Sequence, residues 1–176
     1  IRFMNLLIAF GVVNITFYIL DEPISYLTLH AIIIILSTMS IGYILNDIID
    51  IPNDLVNKKN NLIANKTITH KQSYIMIFIF TIILAHSSMY INYIAQFYLF
   101  FFILPILFSY NFFFRTQILI GNICVALMLS SVFLFSALIV NQNIYMVFTP
   151  CLFAFFLNLI REIIKDLNDI EGDKFI

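Results

Sequence analysis

Charge is what this chain has least of. Only 11% of its 176 residues are Asp, Glu, Lys or Arg, against about 25% in an ordinary soluble domain. With 62% hydrophobic residues and a mean hydropathy of +1.00, the chain has more apolar surface than a water-facing globule can hide, so its solvent must be lipid. Glycine is scarce as well: Gly11, Gly42, Gly121 and Gly172 are scattered, which leaves no glycine-rich phosphate loop. The two cysteines, Cys124 and Cys151, fall inside apolar runs and read as small buried hydrophobes rather than a disulfide. His30, His70 and His86 have no metal-ligand spacing and read as interfacial or packed side chains. The net charge of −1 excludes little by itself, and no nucleic-acid partner is expected.

What the chain does have is long apolar runs. Six are read at 3–20, 27–46, 73–90, 93–110, 117–140 and 144–160, each near the length a membrane-crossing helix needs. Arg2 followed by apolar residues has the outline of a signal peptide, but no small-residue cleavage site precedes Asp21 and Glu22. The expected architecture is therefore all-α, a polytopic membrane helix bundle forming one domain over residues 1–176. Connections are short except for residues 47–72. With six alternating crossings, all nine basic residues fall on one side: Arg2, Lys58, Lys59, Lys66, Lys71, Arg115, Arg161, Lys165 and Lys174. The opposite loops carry only Asp21 and Glu22. Positive charge is retained inside, so an integral, multi-pass protein of the cytoplasmic membrane is expected, with its basic face cytoplasmic.

Eight of the ten acidic residues gather on that same face, in two clusters. Asp47, Asp50 and Asp54 follow the second run, and Asp166, Asp169 and Asp173 follow the sixth, each 119 positions later. One Asp-x-x-Asp-x-x-x-Asp pattern after corresponding runs points to an internal repeat of four helices. Residues three and four apart share a helix face, although Pro52 and Gly172 are expected to end or bend these helices. Membrane helices commonly end in charges that fix their position, but two copies of one spacing on one face argue for more. Clustered carboxylates repel one another, and a divalent cation removes that penalty. Magnesium takes one or two carboxylates and completes its shell with water and phosphate oxygens. With Arg161 and Lys165 nearby, a magnesium-bridged diphosphate fits better than a bare calcium cage.

These residues resemble the UbiA superfamily of intramembrane prenyltransferases. Its first signature, Asn-Asp-x-x-Asp-x-x-x-Asp, is matched by Asn46, Asp47, Asp50 and Asp54, and its second by Asp169 and Asp173. The run from Arg161 and Glu162 to Gly172 and Asp173 is most similar to the branch that prenylates geranylgeranylglyceryl phosphate. Weaker echoes are Arg2, Asn5, Asn57, Ser109, Tyr110 and Gly121-Asn122. The family fold has nine spans, of which the six runs here would be the first six. The chain departs from the usual Asn-Lys-Pro-x-Arg-Pro continuation: Asn61 stands where a diphosphate-binding Arg is expected, so Lys58 or Lys59 would compensate.

The resemblance implies magnesium-dependent transfer of a prenyl group from an isoprenyl diphosphate to a lipid-soluble acceptor, either a glycerol-phosphate lipid or an aromatic quinone precursor. Asp47, Asp50, Asp54, Asp166, Asp169 and Asp173 would hold the metal. Asn46, Lys58, Arg115 and Arg161 would hold the diphosphate, and Asp50, Asp54, Asp169, Asp173 and Lys165 would act in catalysis. Two other classes remain open at this stage, a cation transporter or channel and a non-catalytic membrane scaffold. A transporter would need ionisable residues near the bilayer midplane, and the centres of these runs carry none.

Overall fold

A computed structural model describes residues 3–56 and 61–173, the last six of these by backbone alone. Every regular element among the described residues is helical. In lipid no water is available to backbone N–H and C=O groups, so each segment must pair its own. The helices are α1 (Phe3–Ile19), α2 (Tyr26–Ile49), the short α3 (Ile51–Val56), α4 (His70–Ser88), α5 (Tyr93–Tyr98), α6 (Leu104–Ser109), α7 (Ile118–Ile139) and α8 (Tyr145–Asp173). α5 and α6 belong to one continuous rod, Tyr93–Phe114, because π-helical turns at Leu99–Ile103 and Tyr110–Phe114 join and extend them. Pro105 accounts for the first of these. It has no N–H to give and its ring excludes the carbonyl four residues back, a misfit that a wider turn absorbs.

Six rods coincide with the six apolar runs, and they differ in how far they meet the length and apolarity of a bilayer crossing. Among the described residues, four helices are long and apolar enough to cross a bilayer: Tyr26–Ile49, Tyr93–Phe114, Leu119–Ile139 and Tyr145–Leu167. α1 is shorter, at 17 residues. α4 opens with His70, Lys71 and Gln72, whose polarity dilutes its apolar length. Thr69 and Gln72 form a reciprocal capping box there, which anchors the start of α4 in a polar setting. The expected break at Pro52 occurs: α2 ends at Ile49, Asp50 is its C-cap, and α3 starts with Pro52 in its first turn. Gly172 does not end α8, which runs on to Asp173.

Two hairpin turns at the end remote from the acidic motifs repeat one geometry. Asp21 after α1 and Asn141 after α7 both adopt left-handed backbone, at φ 54° and 55°, where Asp and Asn are tolerated best among non-glycines. Each following residue donates its N–H five residues back, Glu22 to Phe17 and Gln142 to Ala137. The two turns also touch, Gln142 Nε2 donating to Glu22 Oε1 at 2.7 Å. That equivalence in space supports the internal repeat read from the motif spacing.

Phe17, Ile34, Leu99 and Phe135 are the largest fully buried apolar side chains, contributed by α1, α2, the Tyr93–Phe114 rod and α7. Two glycines set how closely elements approach. A Cβ on Gly42 of α2 would lie 2.7 Å from Leu107 Cδ1, so this crossing is tight. A Cβ on Gly121 would lie 2.9 Å from the Phe114 carbonyl oxygen, where backbone rather than a side chain would have to yield. Gly121→Ala is therefore expected to destabilise by about 1–3 kcal/mol, as overpacking does. Gly11→Ala, with open space around it, should leave stability unchanged or gain up to about 1 kcal/mol of helix propensity. Thermal unfolding in detergent checks this, and equal melting points for the two variants would refute it.

Candidate functional site

Both acidic motifs come to the same end of the bundle. α2 and α8 each deliver their motif at their C-terminal ends, and the connections into α4 and α7 arrive beside them. Polar contacts between elements cluster there. Arg115, in the turn before α7, forms an ion pair with Asp50. Asn122 of α7 donates through Nδ2 to Asp166 Oδ2 of α8 at 2.8 Å. Burial pushes the Arg115 guanidinium below its ordinary value, yet such a group stays charged in proteins, and Asp50 supplies the opposite charge. Removing one partner of a buried pair typically costs about 3–5 kcal/mol; this pair keeps some exposure, 14% for Arg115 and 26% for Asp50, so solvent screening reduces that figure.

Asn61 explains why the chain can depart from the family pattern after the first motif. Its side chain is buried, and Nδ2 donates both to the Asp47 carbonyl at 2.8 Å and to Asp54 Oδ2 at 2.7 Å. Oδ1 accepts from the N–H groups of Ile63 and Ala64 at 2.9 and 3.3 Å. An amide can do this because it donates and accepts at once. Asn61 thus ties the returning loop to two motif residues and orients a carboxylate.

Beneath this end lies a cavity with an open mouth, enclosing about 140 Å³. Asn5, Tyr43, Asn46, Tyr110, Asn111, Arg161, Glu162 and Lys165 line its polar end, and Ile34, Leu99 and Phe135 its apolar far end. Asn5 Nδ2 donates to the Tyr43 hydroxyl at 3.0 Å, which joins α1 to α2 at the rim. Glu162 is buried, and its carboxylate accepts from Arg161 Nη1 at 3.2 Å and from Lys165 Nζ at 3.4 Å.

Of the residues expected to act, Asn46, Arg161 and Lys165 line the cavity, while Asp50 and Arg115 face each other. Asp54 faces Asn61, and Asp166 faces Asn122. Lys58 lies outside the described residues, as do the side chains of Asp169 and Asp173. Among the described residues, no three His, Cys, Asp or Glu side chains converge on a common point. The donors that are described are carboxylate oxygens, hard ligands that suit magnesium or calcium better than thiol-loving metals. Asn61 and Asn122 orient two of them as supporting partners of metal ligands do. These donors are of the kind magnesium or calcium takes, and among the described residues they are not gathered at one point.

Glu162 and Asn111 were not singled out from the sequence. Glu162 could have been found from its place beside Arg161 and three before Lys165, the spacing of helix ion pairs. Asn111 could have been flagged as an amide within an aromatic membrane run, since polar groups at such depth are commonly functional.

The UbiA prenyltransferase family profile matches residues 6–176. The digeranylgeranylglyceryl phosphate synthase of Methanosphaera stadtmanae is 33% identical over 178 residues, covering 99% of this chain and 63% of that protein. The enzyme of the same name from Methanococcus aeolicus is 33% identical over 155 residues, covering 86% of this chain and 53% of that protein. A solved structure of a digeranylgeranylglyceryl phosphate synthase superposes with a TM-score of 0.81 at 27% identity, covering 98% of this chain and 62% of that one. The chain thus spans less than two-thirds of the length of these relatives. By the extent of the family match, this chain belongs to the UbiA prenyltransferase family.

Proposed function

We propose that the protein transfers a prenyl group from an isoprenyl diphosphate to the hydroxyl of a glycerol-phosphate lipid within the membrane. The observation that carries this reading is one cavity with a charged mouth and an apolar end, in a chain of this family. Arg161 and Lys165 supply positive charge where a diphosphate would sit, and Arg115 stands nearby in its pair with Asp50. The carboxylates of Asp47, Asp50 and Asp54, with Asp166, Asp169 and Asp173, would hold magnesium, which when bound supplies Lewis-acid neutralisation of the leaving diphosphate. The C1–O bond to the diphosphate breaks and its electron pair leaves with the diphosphate. The acceptor oxygen forms the new ether bond at C1, and the hydroxyl proton ends on the released diphosphate. Apolar cavity walls keep water from the allylic carbon during this exchange. By the positive-inside rule the charged mouth opens to the cytoplasm.

Cavity depth bears on the tail. Asn46 stands twelve residues beyond Ile34 on α2 (46 − 34), about 18 Å of helix at 1.5 Å per residue. An extended chain advances about 1.2 Å per bond, as a polypeptide does over its three bonds per residue, so a four-bond isoprene unit takes about 5 Å. That stretch of wall is about as long as three to four extended units, with Phe135 lining its far end.

Two outcomes are expected from the full-length protein in lipid vesicles, supplied with geranylgeranyl diphosphate and geranylgeranylglyceryl phosphate. Magnesium chelation should abolish ether formation and added magnesium restore it. Asp50→Ala should lower kcat about a hundredfold or more, the scale of losing one group that stabilises leaving charge; activity indifferent to both would sink the reading. Phe135→Ala should raise the rate ratio of a five-unit over a four-unit diphosphate, measured in one preparation so that any loss of folded protein cancels. An unchanged ratio would remove Phe135 from chain-length control.

A further inference from the structure

The Asn111 side chain is 3% exposed and lines the cavity. Its Nδ2 donates to the Leu107 carbonyl one turn back at 2.8 Å, which fixes the amide orientation, since only the nitrogen can donate. Oδ1 is then left buried without a partner. Asn46 Oδ1, lining the same cavity, is likewise buried and unpartnered. The two residues sit on adjacent helices, each one turn beyond the tight Gly42–Leu107 crossing (42 + 4 and 107 + 4). The π-helical turn Tyr110–Phe114 puts Tyr110 and Asn111 together on the cavity wall.

An orphaned buried carbonyl costs about 1–3 kcal/mol, and two in one cavity, in a protein whose solvent is lipid, call for a hydrogen-bond donor. Carbonyl oxygens accept only, so these two favour an O–H group, while the amide nitrogen of Asn46 is the atom that would reach a diphosphate oxygen. We propose that Asn111, together with Asn46, accepts the hydrogen bond of the acceptor alcohol and aims its oxygen toward the reacting carbon. Asn111 is thus a specificity and positioning residue for the acceptor, an inference that rests on the prenyl-transfer reading above.

Binding of geranylgeranylglyceryl phosphate, and separately of geranylgeranyl diphosphate, is measured by titration calorimetry on the full-length protein in detergent. Asn111→Leu removes both polar atoms. Asn111→Ser keeps a hydroxyl able to donate to the Leu107 carbonyl, as Thr38 does to Ile34 at 2.8 Å, but removes the carbonyl oxygen. Both variants should bind the alcohol about five- to tenfold more weakly, the scale of one hydrogen bond, with diphosphate affinity unchanged. A deoxy analogue lacking the hydroxyl should bind wild type and Asn111→Ser alike, which closes the double-mutant cycle. An alcohol affinity unchanged in Asn111→Ser, an equal loss for the deoxy analogue, or a loss confined to the diphosphate would each overturn the proposal. So would failure of the wild type to bind the alcohol. If wild type binds the alcohol but transfers no prenyl group to it, the proposed function fails while the assignment of Asn111 still stands or falls on the binding cycle.

Discussion

Lipid will not hydrate a charge, and the arrangement of this protein depends on that constraint. Ionisable side chains within a bilayer are expensive, so the chain carries them at the ends of its rods. Polar groups that do lie within the rods are mostly satisfied locally. Thr16, Thr38 and Ser136 donate to the carbonyls four residues back, at 2.7, 2.8 and 2.8 Å. Cys151 does so across helices, its Sγ donating to the Ser130 carbonyl at 3.3 Å. Against that background the unpartnered oxygens of Asn46 and Asn111 stand out as places where the protein leaves a bond for something else to complete.

Among the described residues of the charged end, four carboxylates are held by named partners. Asp50 has Arg115, Asp54 has Asn61, Asp166 has Asn122, and Glu162 has Arg161 and Lys165. Close carboxylates without such partners would raise one another's pKa and resist ionisation. The cations and amides hold them in place, and they are the same groups that an incoming anion would engage. On the proposed function, binding a diphosphate at this mouth would be an exchange of partners, with Arg161 and Lys165 shared between Glu162 and the ligand.

The repeat of the acidic motif has a counterpart in space. The turn at Asp21-Glu22 and the turn at Asn141-Gln142 use the same left-handed residue and the same five-residue return bond, and they meet through a side-chain hydrogen bond. At the opposite end the polar rim of the cavity takes residues from both halves, Asn5 and Tyr43 of the first and Arg161 and Lys165 of the second. Each half presents polar ends and an apolar wall, and a cavity arises because the two are set side by side.

The sequence by itself determined the solvent, the helical class, the polar punctuation between rods and the gathering of charge at one end. These follow from composition and spacing, which lipid reads directly: a run of apolar residues has one viable backbone conformation there. The break at Pro52 was legible for a similar reason, being a property of one ring. Only the tertiary structure decided which groups meet. Nothing local in Asn61 says that it will hold Asp54 rather than replace an Arg, and nothing local in Asn111 says that its carbonyl will face a cavity. Both outcomes depend on how α2, the Tyr93–Phe114 rod and the returning loop pack against one another. Packing is also what puts Gly42 at a close crossing and turns one lone amide in an aromatic run into an unfilled acceptor, because partners distant in the chain are chosen by shape, which spacing along the sequence does not encode.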